Sequence, residues 1–369
     1  MRTVRRLLYR DIGWSVVFVG LAFLSLFFFI DFVDELEDVG RGSYTLARAL
    51  LRTLLLVPGH FYELFPIAVL IGTIYAMARL AQSSEFTILR TAGLGPGRAL
   101  RLLAVPGVLF ALLTFGVGDY LAPITEREAV AIKAGNRTMS LGRTGAWLKE
   151  HRDGPEGPRA VSVNVQAVAG VGELRGVRIF EFDDQGRLRT RLEATEASVR
   201  DGHWQLRQVQ RTDWPTPEAA HAGQALRQRS LPAQDWPSSL QATVVTAALL
   251  PVQTMSTLDL WRYTRHLANQ SQEVQRHEIQ FWKKALYPLA CVVMVALALP
   301  FAYLHARAGG VSFKVFGGIM LGISFVLLNN AAGHLGLLRH WEPWMAAAAP
   351  SLLYLLISMA AFAWLVRYR

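Results

Sequence analysis

Cysteine is nearly absent. Cys291 stands alone in 369 residues, so no internal disulfide can form and no cysteine-based zinc site is available. Nucleotide and hydrolase signatures are also missing. The nearest approach to a P-loop, GLGPGRAL over 93–100, lacks the lysine and follows a helical pattern rather than a strand, so the chain is not expected to hydrolyse nucleotide itself. His277 and Glu278 open no H-E-x-x-H because position 281 is Phe281, and G-x-S-x-G does not occur. Charge is scarce, at 18% against 52% hydrophobic residues. That is too apolar for two or three soluble domains and indicates a membrane protein.

What the sequence does hold is a set of long apolar runs. Residues 12–30 carry no charge and match a hydrocarbon core about 30 Å thick. The run ends in Phe27, Phe28, Phe29 and Ile30 and then acid, not in a small-residue cleavage site, so it is expected to be retained as a first span. Residues 54–78 form a second, with Pro58, Gly59, His60, Glu63 and Pro66 predicting a broken start followed by helix. Residues 102–121 are the third, and 285–303, 315–338 and 343–366 are the fourth to sixth. The expected organisation is therefore spans one to three over 1–121, an insertion over 122–280 and spans four to six over 281–369.

The formal charge of +10 is explained by where the arginines lie. Arg2, Arg5, Arg6 and Arg10, then Arg79, Arg90, Arg98 and Arg101, then Arg307 and Lys314, then Arg367 and Arg369 all fall on one side of the alternating spans. The opposite loops hold Asp31, Asp34, Glu35, Glu37 and Asp38, and Glu342. By the positive-inside rule both termini are cytoplasmic and the insertion is external. Residues 122–280 contain 20 basic and 18 acidic residues, so no nucleic-acid partner is needed to account for the charge.

Within the insertion AVSVNVQ (160–166), GVRIFEF (176–182), RLRTRLEAT (187–195) and HWQLRQVQ (203–210) alternate with period two, the pattern of strands. DDQGR (183–187) and RDGHW (200–204) between them are turn signals. An all-β domain, sandwich or jellyroll, is predicted. Residues 125–139 read as a helical extension of the third span, 257–282 as a polar helix leading into the fourth, and 215–237 as loop.

Between spans two and three lies LAQSSEFTILRTAGLGPGR (80–98). Ser83 or Ser84 can cap a short helix with Glu85 in its first turn, and Gly93 can end it. Phe86, Leu89 and Arg90 then share one face, which suits either a cytoplasmic partner or the anionic lipid surface. Glu63 and Asp119 lie near the outer ends of their spans, where an interfacial role is favoured over a proton relay.

Together FVDELEDVGRGSY (32–44), VPGHFYELFPIAVLIGT (57–73), LAQSSEFTILRTAG (80–93), HWQLRQVQ (203–210) and LWRYTRHLANQSQEVQRHEIQFWKKALYPL (260–289) resemble the lipopolysaccharide export permeases of Gram-negative bacteria, the LptF/LptG family, nearer its LptG-like than its LptF-like subunit. The resemblance implies a six-span inner-membrane half-permease with an inserted periplasmic β-jellyroll. Its partners would be an LptF-like subunit, a cytoplasmic LptB-like ATPase dimer and a single-span LptC-like protein, and its cargo lipopolysaccharide. ATP and magnesium would belong to the ATPase, with no cofactor, metal or catalytic residue in this chain. The helix over 82–95 would be the coupling helix, with Ser84, Glu85, Phe86, Leu89 and Arg90 at the ATPase contact. For the cargo, Arg41, Arg48, Arg52, Lys133 and Arg137 are the cations available to phosphates, while Phe27, Phe28, Phe65 and Phe325 are the aromatics available to acyl chains if they face inward, a packing or lipid-facing position being the alternative for each.

At the exit of span one the sequence departs from the family, which is basic there, and shows Asp31, Glu37 and Asp38. Three accounts of these acids stand: a divalent cation bridging carboxylate to phosphate, a differently charged cargo, or a merely solvated rim. Other readings of the whole chain are the LptF-like half of the same exporter or a homodimeric relative, an envelope scaffold, and a membrane-bound enzyme. The last lacks a grouped nucleophile, base and orienting residue in the insertion, and six spans with a partner-type helix exceed what a scaffold's anchor requires.

Overall fold

The computed structural model describes residues 2–40, 44–83, 85, 88, 91, 93, 95–134, 139–140, 145–154, 157–170, 173–200, 203–215, 225–238, 255–269, 274–303 and 310–367. They divide into two compact units, 1–129 with 275–369, and 130–274.

The first unit is a helical bundle. Its helices are α1 (Arg2–Leu36), α2 (Leu46–Gln82) and α3 (Pro96–Gly116), the last running through a π-turn (Val117–Leu121) into α4 (Ala122–Ala134). After the insertion, whose last helix is α5 (Thr257–Asn269), come α6 (Gln275–Leu286), α7 (Leu289–Tyr303), α8 (Val311–Leu338) and α9 (Pro343–Arg367). Among the described residues five helices are long and apolar enough to cross a membrane, and six spans result if α6 and α7 count as one, bent by 54°. The bend sits at Tyr287 and Pro288. There the ladder closes with Tyr287 N–H donating to the Lys283 carbonyl at 2.9 Å and restarts with Ala290 N–H donating to the Tyr287 carbonyl at 3.0 Å.

The helix α2 is the centre, its most apolar stretch being 78% buried against 11% for α1. Val69, Ile74 and Met77 of α2 pack with Leu103, Met294, Leu299, Phe325 and Tyr354. Lipid offers no hydrophobic drive between helices, so close approach through small residues carries the packing. A Cβ on Gly72 would lie 2.7 Å from Val16 Cα, and one on Gly322 would lie 2.6 Å from Ile67.

Four expectations for the helices change. The second span has no broken start, because α2 continues through Pro58 and Pro66. A proline removes one N–H, and neighbouring turns and helices re-satisfy the freed groups within a membrane. The polar stretch 257–282 is two helices rather than one, α5 and α6, and the fourth span's apolar helix begins at Leu289 rather than Ala285. The extension of the third span is helical to Ala134, while Met139–Ser140 is already strand.

The second unit holds the β-sheet, together with α5 and the end of α4. Its strands are β1 (Met139–Ser140), β2 (Ala146–Gly154), β3 (Gly157–Gly170), β4 (Glu173–Phe182), β5 (Leu188–Arg200), β6 (His203–Asp213) and β7 (Arg227–Pro237). Both β1 and β2 pair with β3, after which each strand pairs with the next in sequence, every pair antiparallel. The stretch 215–237 is therefore not all loop: 227–237 is an edge strand, and 216–224 lies outside the described residues.

One face is buried, from Leu148 and Val163 through Ile179, Leu192 and Ala194 to Trp204, Leu206 and Trp236. The sheet coils over it. Trp236 Nε1 of the β7 edge donates to Glu181 on β4 at 2.9 Å, and Ser238 Oγ donates to Glu150 on β2 at 2.8 Å, both bonds crossing the core without ladder pairing. Coiling is made possible by a slip in the pleat. Buried positions step by two along β4, β5 and β6 except from Leu174 to Val177, Ala194 to Ala197 and Leu206 to Val209, where the step is three. These steps align, since Leu174 pairs with Ala197 and Ala197 with Leu206, while Val177 pairs with Ala194 and Ala194 with Val209. Gly176 (φ 63°) and Gln208 (φ 53°) take left-handed conformations there. Gly176→Ala is expected to destabilise the β unit by about 1–2 kcal/mol through the left-handed backbone, read as a lower unfolding temperature of the full chain.

The turn after β4 is closed by Asp183, whose carboxylate accepts from the N–H of Arg187 at 2.8 Å and of Gln185 at 3.1 Å, with Gly186 at φ 74°. Those bonds, the Arg187 N–H first, hold the carboxyl below its usual range. Their contribution is thus present at neutral pH and is lost as pH falls through the lowered value.

Candidate functional site

The end of the bundle from which the β insertion departs carries a polar junction. It arises because α1 continues past its apolar run into acids while α2 starts ahead of its own apolar run with Arg48 and Arg52, so acids and cations face across two antiparallel helices. Thr45 caps α2 by accepting from Arg48 N–H at 3.4 Å. His60 Nε2 lies 2.6 Å from Asp31 Oδ2, and the Phe27 ring packs 5.2 Å from the His60 ring. One turn further along α1, Glu35 is buried and takes an ion pair from Arg52 and a hydrogen bond from the Tyr44 hydroxyl at 2.7 Å. Burial, with Asp38 adding to it, holds the Tyr44 phenol above its usual range, so it remains a donor.

These contacts revise two sequence expectations. Of the three acids given a solvated-rim account, Asp31 is paired with His60 within the chain, while Glu37 is exposed and Asp38 half-buried. Arg52 is engaged by Glu35 rather than presented to an anion. Arg41 and Arg137 lie outside the described residues, as does the side chain of Lys133, whose backbone is in α4.

A second polar group adjoins the first. The Tyr62 and Tyr287 rings pack at 4.9 Å, Tyr62 donates to the Lys284 carbonyl at 3.4 Å, and Tyr287 donates to the Glu63 carbonyl. Lys284 Nζ lies 6.0 Å from the Tyr62 ring centroid. Two glycines make room: a Cβ on Gly118 would meet the Tyr62 ring, and one on Gly59 would meet the Glu126 carboxylate. Lys283 reaches α8, its Nζ lying where a Cβ on Gly333 would fall. Sequence reasoning passed over both lysines, although a Lys-Lys pair between Trp282 and an apolar run was the available signal.

The aromatics separate. Phe65 is buried between Phe61 (4.4 Å) and Phe110 (5.8 Å), and Phe325 is buried against Tyr354 (5.2 Å). Both are packing residues of this chain's core, whereas Phe27 is half-buried beside His60. Bare apolar surface lies instead on α1, at Trp14, Phe18 and Leu21, and on α8, at Phe313, Phe316 and Leu327.

At the opposite end, Ser83 closes α2, its N–H donating to the Arg79 carbonyl at 3.0 Å, rather than capping the next helix. Glu85, Ile88 and Thr91 are helical and exposed, and Gly93 (φ 92°) ends the segment. Ser84, Phe86, Leu89 and Arg90 lie outside the described residues. Ile88 is an apolar side chain 64% exposed, three residues from Glu85, that the sequence pattern does not single out.

Comparison with known proteins agrees in extent with this architecture. The family described as lipopolysaccharide export system permease LptF/LptG matches residues 6–367. The lipopolysaccharide export system permease protein LptG of Escherichia coli (strain K12) is 28% identical over 356 residues, 95% of each chain. The protein of the same name from Haemophilus influenzae is 27% identical over 366 residues, 97% of each chain.

Proposed function

Because the chain belongs to the LptF/LptG family of lipopolysaccharide export system permeases, we propose that it is the LptG-like, non-catalytic half of that exporter, working in the inner membrane with the β unit on the periplasmic side. The observation that carries this is the extent of the family match, which runs through bundle and insertion alike over residues 6–367. The relatives named LptG favour that half over the LptF-like one.

In this reading a second six-span subunit faces the bare surfaces of α1 and α8, where apolar side chains otherwise meet only lipid. A cytoplasmic ATPase pair docks on the helix within 82–95 and drives the opening and closing of the cavity between the two halves. The cargo's phosphates engage cations at the external end. Lys283 and Lys284 join Arg41, Lys133 and Arg137 in that set, while Arg52 serves the Glu35 pair instead. An LptC-like partner and the β unit receive the cargo.

The test is to extract the tagged chain from its native envelope in mild detergent and identify bound proteins and lipid by mass spectrometry. Recovery of an ATPase, a second six-span subunit and lipopolysaccharide supports the assignment, and a chain that emerges alone sinks it. For the coupling helix, Glu85→Ala and Ile88→Ala are each expected to lower cargo-stimulated ATPase activity roughly fivefold or more, the scale of a lost interface anchor, with the complex still assembling. Wild-type activity in both variants counts against coupling at this helix.

A further inference from the structure

α3 and α9 both pack along α7 and leave a cleft of about 270 Å³ between them. Its walls are Leu100, Leu103 and Ala104 on α3 and Leu355, Ser358, Met359 and Phe362 on α9, with Val292, Val295 and Ala296 of α7 as the floor. The α9 residues fall at i, i+3, i+4 and i+7, a single helix face. Further along α3, at Gly107, the helix closes on α7, where a Cβ would lie 3.3 Å from Val292 Cα. The α3 residues of the cleft, Leu100, Leu103 and Ala104, lie in the first turns of that helix.

Those turns are basic. Arg98 and Arg101 are exposed on α3 beside Leu100, and Arg367 is exposed at the end of α9, five residues beyond Phe362. Arg98 donates one hydrogen bond to the Gly93 carbonyl at 3.1 Å. Arg101 meets no acid among the described residues. No Asp or Glu occurs over 86–118, 285–341 or 343–369, so all three helices reach this end without a negative charge.

We propose that this cleft binds one acyl chain of an anionic phospholipid whose headgroup phosphate rests on Arg98 and Arg101. An apolar cleft in a bilayer cannot hold water usefully, and left empty its walls forfeit their dispersion contacts. A flexible hydrocarbon tail fills it. The cluster of like charge at its mouth selects a lipid with net negative charge over a zwitterionic one. The site is distinct from the cations proposed for the cargo, because it lies at the opposite end of the bundle from Lys283 and Lys284. It is placed to brace α3 against α9 next to the coupling helix.

The experiment uses the whole purified assembly in nanodiscs, with photoactivatable phosphatidylglycerol or phosphatidylethanolamine as the probe and mass spectrometry of the labelled peptides. Phosphatidylglycerol is expected to label the α3 and α9 segments. Ala104→Phe, which fills the cleft, removes that labelling. Arg98→Gln with Arg101→Gln lowers it roughly 25-fold, about fivefold for each charge removed near an anionic group, while phosphatidylethanolamine labelling stays low and unchanged. Equal labelling of wild type by the two lipids overturns the proposal, as does undiminished labelling of an assembled Ala104→Phe complex. A cross-link from Met359→Cys to another polypeptide also overturns it, showing that protein fills the cleft. If Ala104→Phe does not assemble, the arginine variant decides, since both side chains are exposed and outside the core.

Discussion

Arg52→Met is expected to cost about 3–5 kcal/mol, the range for removing one partner of a buried ion pair. The magnitude follows from what remains. Glu35 keeps a carboxylate whose side chain is 7% exposed, still accepting from the Tyr44 hydroxyl. A domain's whole margin is roughly 5–15 kcal/mol, so the single variant should unfold far below wild type in a thermal scan in nanodiscs. The double variant Glu35→Leu with Arg52→Met removes both charges and should recover most of the loss, within about 1 kcal/mol of wild type or above it. A double-mutant cycle with no coupling between the two positions would show that the pair does not hold α1 to α2. The same cycle separates stability from cargo binding: if Arg52 contacted phosphate, the double variant would regain its melting temperature and still fail to bind.

The second large effect is expected at Gly72. A side chain there does not meet the flexible tip of a neighbour but the backbone of α1, at 2.7 Å from both Val16 N and Val16 Cα. Backbone cannot turn aside, so the helices must part. Gly72→Ala should cost about 1–3 kcal/mol, the range for overpacking, and Gly72→Val more, both read as loss of thermal stability. The control is on the partner helix. Gly20 has no atom within 4 Å of an added Cβ, so Gly20→Ala should be neutral or stabilising by up to about 1 kcal/mol through helix propensity. Equal losses at Gly72 and Gly20 would mean that the contact between α1 and α2 is not tight.

How much of this was legible in the sequence depends on which force fixes each feature. The apolar spans stood out because a bilayer demands an unbroken hydrocarbon face, and β3 to β6 because one buried side imposes alternation. β7 did not, since RQRSLPAQDWP is polar and contains Pro232. Its place is set by ladder bonds to β6 that no side chain announces. Pro232 stands opposite Gln208, between the pairs Arg207 with Ala233 and Val209 with Leu231, where the pleat slips. Pro58 and Pro66 misled in the other direction, because a proline's local penalty is visible in sequence and the packing that absorbs it is not. Between the second and third spans, Glu85, Ile88 and Thr91 are helical as the spacing predicts, whereas Ser83 closes α2 and is not the cap that the sequence offered. The pairing of Asp31 with His60 and of Glu35 with Arg52 was not legible, since 29 and 17 residues separate the partners and only the antiparallel register of α1 and α2 brings them together. Phe65 and Phe325 are open in the sequence to an acyl-chain, a lipid-facing or a packing role, and their burial selects the last.

The aligned slip across β4, β5 and β6 gives these strands a common reading frame. Removing the extra residue from one strand alone would invert the facing of everything on one side of the cut. Without Gly176, for instance, Leu174 would turn outward while its ladder neighbours Ala197 and Leu206 stayed in. Removing it from all three would restore a regular pleat but flatten the sheet that brings Trp236 to Glu181. Chain length at these three places is therefore a shared quantity: it can change only in concert, and the curvature of the sheet is what fixes it.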